Sequence, residues 1–268
     1  MCLIEHLIAT ILIFISALTA TLHADSTLVS GLVAKYTFQG NSNDQTGNGY
    51  NASLTGDYQY QTSGGIHILG KNTDYYSGGG YVSIPISSMG LSNQFSISMV
   101  MSDIKQLHPD HEMFAFWGKE ANGNNIINIG SDYNSNTVYF QHYLRGSPDN
   151  GNSTTFTKNI DQGLSGLHQF VLTQSQNTLS AYVDGILIGT GLNTFSLPSQ
   201  SALYLGRHDW SYSSYSSRLE AIYYDVQIYN KELSLSEVQA ITTVPEPSAL
   251  SLLAIGLGGL AMMRRRRS

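Results

Sequence analysis

The sequence predicts an all-β fold, an antiparallel sandwich of two sheets, from three observations. Short runs rich in β-branched and aromatic residues recur along the chain, separated by Gly, Asn, Ser and Asp. Several of these runs alternate: Phe95-Ser96-Ile97-Ser98-Met99 puts three apolar residues on one face and two serines on the other, as a strand with one wet side should. Helix signals are scarce between the two apolar ends of the chain.

Taken in order, the first element is the apolar run Leu7 to Leu22, with small residues at Ala20 and Ala24 before the polar Asp25-Ser26-Thr27. It reads as the helix of a secretory signal peptide over 1–24, with cleavage after Ala24 and Ala20 as the second choice. Its n-region holds Glu5 and His6 rather than Lys or Arg, so the positive charge there would come from the α-amino group. Cys2, the single cysteine, would leave with this segment, and the mature chain would hold neither thiol nor disulfide.

The body is expected at 25–243 as one large domain with no linker, repeat or low-complexity tract. Its strands are expected at Leu32 to Phe38, Tyr81 to Ile86, Phe95 to Met101, Met113 to Trp117, Ile126 to Ile129 and Thr137 to Tyr143. Further strands are expected at His168 to Thr173, Leu179 to Val183, Ala202 to Leu205 and Ala221 to Tyr229. Asp184-Gly185 between two apolar runs specifies a hairpin with a type I′ turn, in which both central residues need φ > 0. One short helix closes the domain, with Ser234 at the N-cap, Glu237 completing a capping box, and Leu235, Val238 and Ile241 on one face.

Composition removes several function classes. Among 268 residues, 41% are hydrophobic and only 12% charged, with 17 Tyr and one Cys, which fits neither a disordered chain, a coiled coil nor a disulfide scaffold. The formal net charge is −6, although four of the 13 basic residues form the terminal run Arg264-Arg265-Arg266-Arg267. Without its two ends the body carries about eight net negative charges, which repel phosphate backbones, so no nucleic-acid partner is expected.

The C-terminal region, 244–268, has three parts in fixed order: Val244-Pro245-Glu246-Pro247, the apolar stretch Ala249 to Met263, and the four arginines. The apolar stretch is shorter than the roughly 20 residues a helix needs to cross a bilayer core, and its Gly256, Gly258 and Gly259 are common in membrane helices. The positive-inside rule would hold the arginines in the cytoplasm and the body outside. This tail resembles the PEP-CTERM sorting signal of Gram-negative bacteria, whose Pro-Glu-Pro motif, short membrane helix and basic end are read by an exosortase. The resemblance implies a temporary inner-membrane anchor cut near Pro245, Glu246 and Pro247, and a destination at the cell surface or in the extracellular matrix. An ordinary C-terminal membrane anchor is the alternative.

The body carries a second resemblance. The segment from Gly31 to Asn51, the Tyr182-Val183-Asp184-Gly185 hairpin, Leu203-Tyr204-Leu205-Gly206, and Tyr224 to Ser234 are similar, in this order, to landmarks of laminin-G-like, concanavalin A-like domains. This implies a jelly-roll sandwich. Bacterial members often have Trp before the His of the strand that here begins Leu167-His168, so a core contact is expected to be filled differently. The resemblance also implies a structural Ca2+ between the first loop and the last long strand, held by the Asp44 carboxylate, backbone carbonyls near Gly47 and Asn48, and Asp225. The loop Asn41 to Asn51 is rich in short oxygen-bearing side chains, which suits a cation wanting about six to eight oxygen ligands. It lacks the Gly and Glu of an EF-hand, and the alternative is that these residues make Asx and glycine turns.

No catalytic residue is expected. Glu220 and Asp225 are the nearest approach to the paired carboxylates of a glycoside hydrolase, but their odd spacing puts them on opposite faces of a regular strand. His108-Pro109-Asp110-His111-Glu112 is the densest group of metal-ligand types and reads as a solvated loop. His168 reads as a satisfied strand histidine, and no nucleophile, phosphate-loop or metalloprotease motif occurs.

The segment from Arg207 to Ser217 reads as a polar loop carrying Trp210, Tyr212 and Tyr215 beside Arg207. Aromatic rings with adjacent hydrogen-bonding groups suit the apolar faces and hydroxyls of sugars; the alternative is a small core under the loop. The expected function is thus a non-catalytic surface or matrix module that binds carbohydrate, with an exosortase and an extracellular polysaccharide as partners. A structural matrix protein without a small ligand, or a glycan-active hydrolase, are the other readings.

Overall fold

A computed structural model describes residues 29–70, 79–107, 112–119, 125–131, 135–144, 154–160, 163–176, 178–192, 202–211, 214–216 and 219–242; for 106, 112–119, 125–127, 142–144, 154, 192, 208–211 and 214–216 the description is of the backbone. Signal-peptide and tail segments lie outside these residues, as does the His108 to Glu112 group apart from the Glu112 backbone. No helix among the described residues is long and apolar enough to cross a membrane.

Among the described residues seventeen strands occur in chain order: β1 (Leu32–Tyr36), β2 (Ser53–Thr55), β3 (Tyr58–Tyr60), β4 (Ile66–Ile68), β5 (Tyr81–Ile84), β6 (Gln94–Gln106), β7 (Glu112–Lys119), β8 (Asn125–Ser131), β9 (Thr137–Leu144), β10 (Thr154–Asn159), β11 (His168–Ser175), β12 (Thr178–Val183), β13 (Ile186–Leu192), β14 (Leu203–Leu205), β15 (His208–Ser211), β16 (Ser214–Ser216) and β17 (Leu219–Tyr229). One α-helix, α1 (Leu235–Ile241), ends the described chain. The strands form an eight-stranded sheet, β13-β12-β11-β6-β17-β4-β3 with β1 also on β17, and a seven-stranded sheet, β10-β9-β8-β7-β14-β5-β2. All recorded pairings within them are antiparallel. This is the expected jelly-roll sandwich.

Alternation decides which side chains meet between the sheets. Phe95, Ile97, Met99 and Met101 of β6 and Phe170 and Leu172 of β11 face Val82, Ile84, Leu203, Leu205, Val138 and Phe140 of the other sheet in one continuous core. The expectation of a wet side on β6 is overturned. Ser96 and Ser98 are buried, because the chain from Asn230 to Thr242 folds back over the outer face of the eight-stranded sheet. Ser96 Oγ donates to Lys231 O at 2.8 Å and accepts from Leu233 N at 2.9 Å. A second small core of Val171, Tyr182, Tyr229, Leu233 and Val238 forms under α1.

Two local devices appear as expected. Asp184 (φ 50) and Gly185 (φ 75) both take the left-handed conformation that joins β12 to β13. Ser234 caps α1 in a capping box with Glu237. Leu167 does not itself fill the core contact that Trp makes in related bacterial domains: it is 36% exposed, just outside the start of β11.

Candidate functional site

Strand β14 sits between β5 and β7, with Tyr204 opposite Ser83 on one side and opposite Phe116 on the other. Leu203 and Leu205 point into the core, so Tyr204 lies on the outer face. On β5, Val82 and Ile84 point inward, which puts Tyr81 on the same outer face, diagonal to Tyr204. The two rings meet edge to face with centroids 6.0 Å apart. Gly206, at φ 79, then turns the chain back; a Cβ there would come within 2.8 Å of the Ile68 side chain.

The turn brings Arg207 over both rings. Its guanidinium carbon is 4.4 Å from the Tyr204 centroid and 5.0 Å from that of Tyr81, and the residue is only 8% exposed. Such contacts are worth about 0.5–2 kcal/mol each, depending on desolvation. Arg207 is therefore a packed clamp on a tyrosine platform rather than an arm reaching out for ligand. From it the chain enters β15 and β16, which pair with each other as a separate hairpin, so the expected polar loop is a β-hairpin. The backbones of Trp210 and Tyr215 belong to this hairpin, and Tyr212 lies outside the described residues. Tyr81 and Tyr204 do not stand out in the sequence, although the alternation in Leu203-Tyr204-Leu205 and Tyr81-Val82-Ser83-Ile84 already places them opposite the core.

The expected calcium ligands have other partners. Asp44 Oδ1 accepts from Lys35 N (3.1 Å) and Thr46 N (3.0 Å), Oδ2 accepts from Tyr50 N (3.3 Å), and the Thr46 hydroxyl lies within 2.9 Å of both oxygens. Burial pulls this carboxyl up, but these hydrogen bonds outweigh it and hold Asp44 below the usual carboxylate range. Asn48 donates from Nδ2 to Val33 O at 2.8 Å, and Gly47 (φ 80) makes a turn. Asp225 sits on the far side of β1, which pairs with β17, and its Oδ2 is 3.1 Å from Lys35 Nζ. Two strand spacings, about 10 Å, separate the backbones that carry the two carboxylates.

The residues present do not fit a shared calcium ion: Asp44 is saturated by protein donors, and a lysine ammonium already stands against Asp225. Desolvation nevertheless raises the Asp225 carboxyl, with Lys35 and Gln227 offsetting part of the effect, and its Oδ1 is buried without a hydrogen-bond partner. Among the described residues no group of three or more His, Cys, Asp or Glu side chains is arranged to hold a metal.

The odd-spacing argument for Glu220 and Asp225 is also corrected. Strand β17 is irregular between Glu220 and Ile222 and again between Tyr223 and Asp225. Tyr223 and Val226 both point into the core, so the second irregularity reverses the parity and brings Glu220 and Asp225 to one outer face. They remain far apart along the strand, at roughly 3.3 Å per residue, beyond the separation of a hydrolase pair. Each has its own cation. Glu220 Oε1 lies 2.8 Å from Lys105 Nζ and 3.2 Å from His67 Nε2, and these two outweigh burial to hold its carboxyl low.

His168 is buried and its two ring nitrogens face acceptors: Asp184 Oδ2 at 2.8 Å and Gly163 O at 3.0 Å. Asp184 Oδ1 accepts from Gln169 N at 2.8 Å. The carboxylate hydrogen bond raises the His168 imidazole despite burial. This is the satisfied histidine expected from the sequence.

Comparison with known proteins matches these features. The family profile described as the concanavalin A-like lectin/glucanases superfamily matches residues 76–239, and the chain belongs to that superfamily. The PEP-CTERM protein-sorting motif matches 243–267, which marks the chain as one exported and sorted to the envelope or surface of a Gram-negative bacterium. The sandwich reaches beyond the first match, since β1 pairs with β17.

Among solved structures, domain 4 of AbnA, a GH43 extracellular arabinanase from Geobacillus stearothermophilus determined with arabinotriose, aligns with TM-score 0.59 and 17% identity over 79% of this chain and 98% of that one. The binding domain of botulinum neurotoxin serotype D/C aligns with TM-score 0.59 and 16% identity over 79% of this chain and 51% of that one. The binding domain of Paraclostridial Mosquitocidal Protein 1 aligns with TM-score 0.58 and 13% identity, over 79% and 52%. This chain thus spans about half of the two toxin chains, and at these identities the likeness is one of fold. No curated protein sequence matches.

Proposed function

We propose that the mature body is a non-catalytic carbohydrate-binding module of the cell surface or extracellular matrix, delivered there after an exosortase-type enzyme processes its tail at the inner membrane. The observation that carries this reading is the Tyr81, Arg207 and Tyr204 stack on the outer face of the seven-stranded sheet. A guanidinium locked on two tyrosines fixes the platform at the root of the β15–β16 hairpin, whose strands carry Trp210 and Tyr215, with Tyr212 following β15 in sequence. Rigid aromatic faces beside polar groups are what a sugar ring needs for stacking and hydroxyl pairing. The arabinotriose complex of the arabinanase domain supports a glycan as the ligand class.

Calcium has no part in this proposal; the Lys35 ammonium supplies the positive charge between the first loop and the last strand. The test is a glycan array with the cysteine-free body, with and without calcium. The expected result is metal-independent binding to polysaccharide that falls on Trp210→Ala and Tyr204→Ala. Absence of binding to every glycan would leave a structural matrix component, and cleavage of any glycan would make the protein an enzyme.

A further inference from the structure

Five large apolar side chains are exposed among the described residues, and three of them, Leu167 (36%), Ile186 (63%) and Leu187 (48%), gather at one end of the eight-stranded sheet. Leu167 directly precedes His168, which is tied to Asp184 in the β12–β13 turn, and Ile186 and Leu187 come directly after that turn. The same end holds the point where the chain leaves the body. Gln169 donates from Nε2 to Ile241 O at 3.1 Å and its Oε1 accepts from the Thr242 hydroxyl. Gly185 lies against Thr242, so that a Cβ on Gly185 would come within 3.2 Å of Thr242 Oγ1.

The sorting motif begins immediately after Thr242, and its apolar stretch begins at Ala249. Seven residue steps reach at most about 25 Å when fully extended. A body whose exit point is held within that distance of a bilayer, and whose exit end carries a cluster of exposed Leu and Ile, presents that end to the lipid. The body is acidic and would be repelled by anionic headgroups; at this end the Asp184 carboxylate is hydrogen-bonded to the His168 imidazole, which offsets its charge when the ring is protonated.

We infer that, while the tail is in the membrane, the β12–β13 hairpin tip with Ile186, Leu187 and Leu167 rests in the lipid interface and fixes the orientation of the body. The inference rests on membrane insertion of the tail and is independent of glycan binding, which is read on the body alone. In this orientation the opposite end of the sheet, with Gln94 and Ser175, points away from the bilayer.

Removal of the signal peptide leaves a chain without cysteine, so single labels can be placed at will. The full mature chain, with an environment-sensitive fluorophore on Ile186→Cys, Leu187→Cys or Gln94→Cys, would be reconstituted into phosphatidylethanolamine and phosphatidylglycerol vesicles containing brominated lipid. Labels at 186 and 187 are expected to shift to shorter wavelength and to be quenched by brominated lipid roughly twofold or more over the label at 94, as for a segment lying within the interface. Equal quenching at 94 and 186 would overturn the inference, as would failure of the chain to float with vesicles. A shift at 186 that disappears on dilution with unlabelled chain would also overturn it, because a second copy, and not lipid, would then cover the tip.

Discussion

The imidazole of His168 lies 2.8 Å from the Asp184 carboxylate, joining the start of β11 to the turn of the neighbouring hairpin. With Gly163 O at the other nitrogen, only the doubly protonated ring donates to both acceptors. The folded state thus raises the His168 pKa, and the contribution of the pair is complete below the unfolded value of about 6.5 and is lost as pH rises through the folded value. Asp184→Asn keeps the left-handed turn, which Asn tolerates. It is expected to lower stability by about 1 kcal/mol near pH 6, a figure discounted for the partial exposure of Asp184, and by less toward pH 9. Denaturant melts of both proteins across that range check it; a constant difference would refute an imidazolium.

Asp44 closes the first loop onto β1 through the Lys35 amide. Its carboxyl is held low, so its contribution is present above the unfolded pKa of about 4 and is lost as pH falls through the folded value. Asp44→Asn should cost about 2 kcal/mol at pH 7 through its lost charged hydrogen bonds, and the gap should close toward pH 3. Thermal melts at pH 7, 5 and 3 measure it.

Lys35 bears on the calcium question. A chelator should leave the melting temperature unchanged, whereas Lys35→Met should destabilise the body by about 1 kcal/mol or more by leaving a half-buried carboxylate without its cation. Burial already raises the Asp225 carboxyl. Without the ammonium the carboxyl is raised further, so the cost is absent below the unfolded carboxylate pKa of about 4, grows as pH rises and is complete above the folded value; the loss should be larger at pH 8 than toward pH 4. A chelator-sensitive melt would restore the metal.

Arg207→Lys tests the platform. A lysine keeps the charge but lacks the planar surface that lies on two rings. Glycan affinity is expected to fall about tenfold, equivalent to about 1.4 kcal/mol, with the fold retained. Titration with the best polysaccharide from the array, alongside circular dichroism, separates the two effects.

The fold was legible where local chemistry decides it. Asp184-Gly185 admits few alternatives to a type I′ turn, and Ser234 with Glu237 caps a helix whatever surrounds it. What failed depended on distant chain. Ser96 and Ser98 look solvated until Gln169 and the 230–242 segment cover them, and nothing in a period-two pattern announces that cover. Parity counting failed on β17 because the irregularity between Tyr223 and Asp225 adds a residue that no local signal marks. Strands β2, β3 and β4, three residues each, are too short for alternation to stand out. At the candidate site, Arg207 is conspicuous through its aromatic neighbours in sequence, while its actual partners Tyr81 and Tyr204 come from two other strands.

Strand β13 ends one sheet and β10 ends the other, and across that seam Gly189 faces the Phe156 ring so closely that a Cβ would come within 2.3 Å of it. A protein destined for a crowded exterior, beyond the reach of cytoplasmic chaperones, has reason to hide such margins, since an open sheet edge invites pairing with the next molecule. Here one margin of each sheet is stitched to the other by a ring seated on a glycine. A Cβ at position 189 has room only if the Phe156 ring moves away from the seam, and that movement would uncover a margin of each sheet.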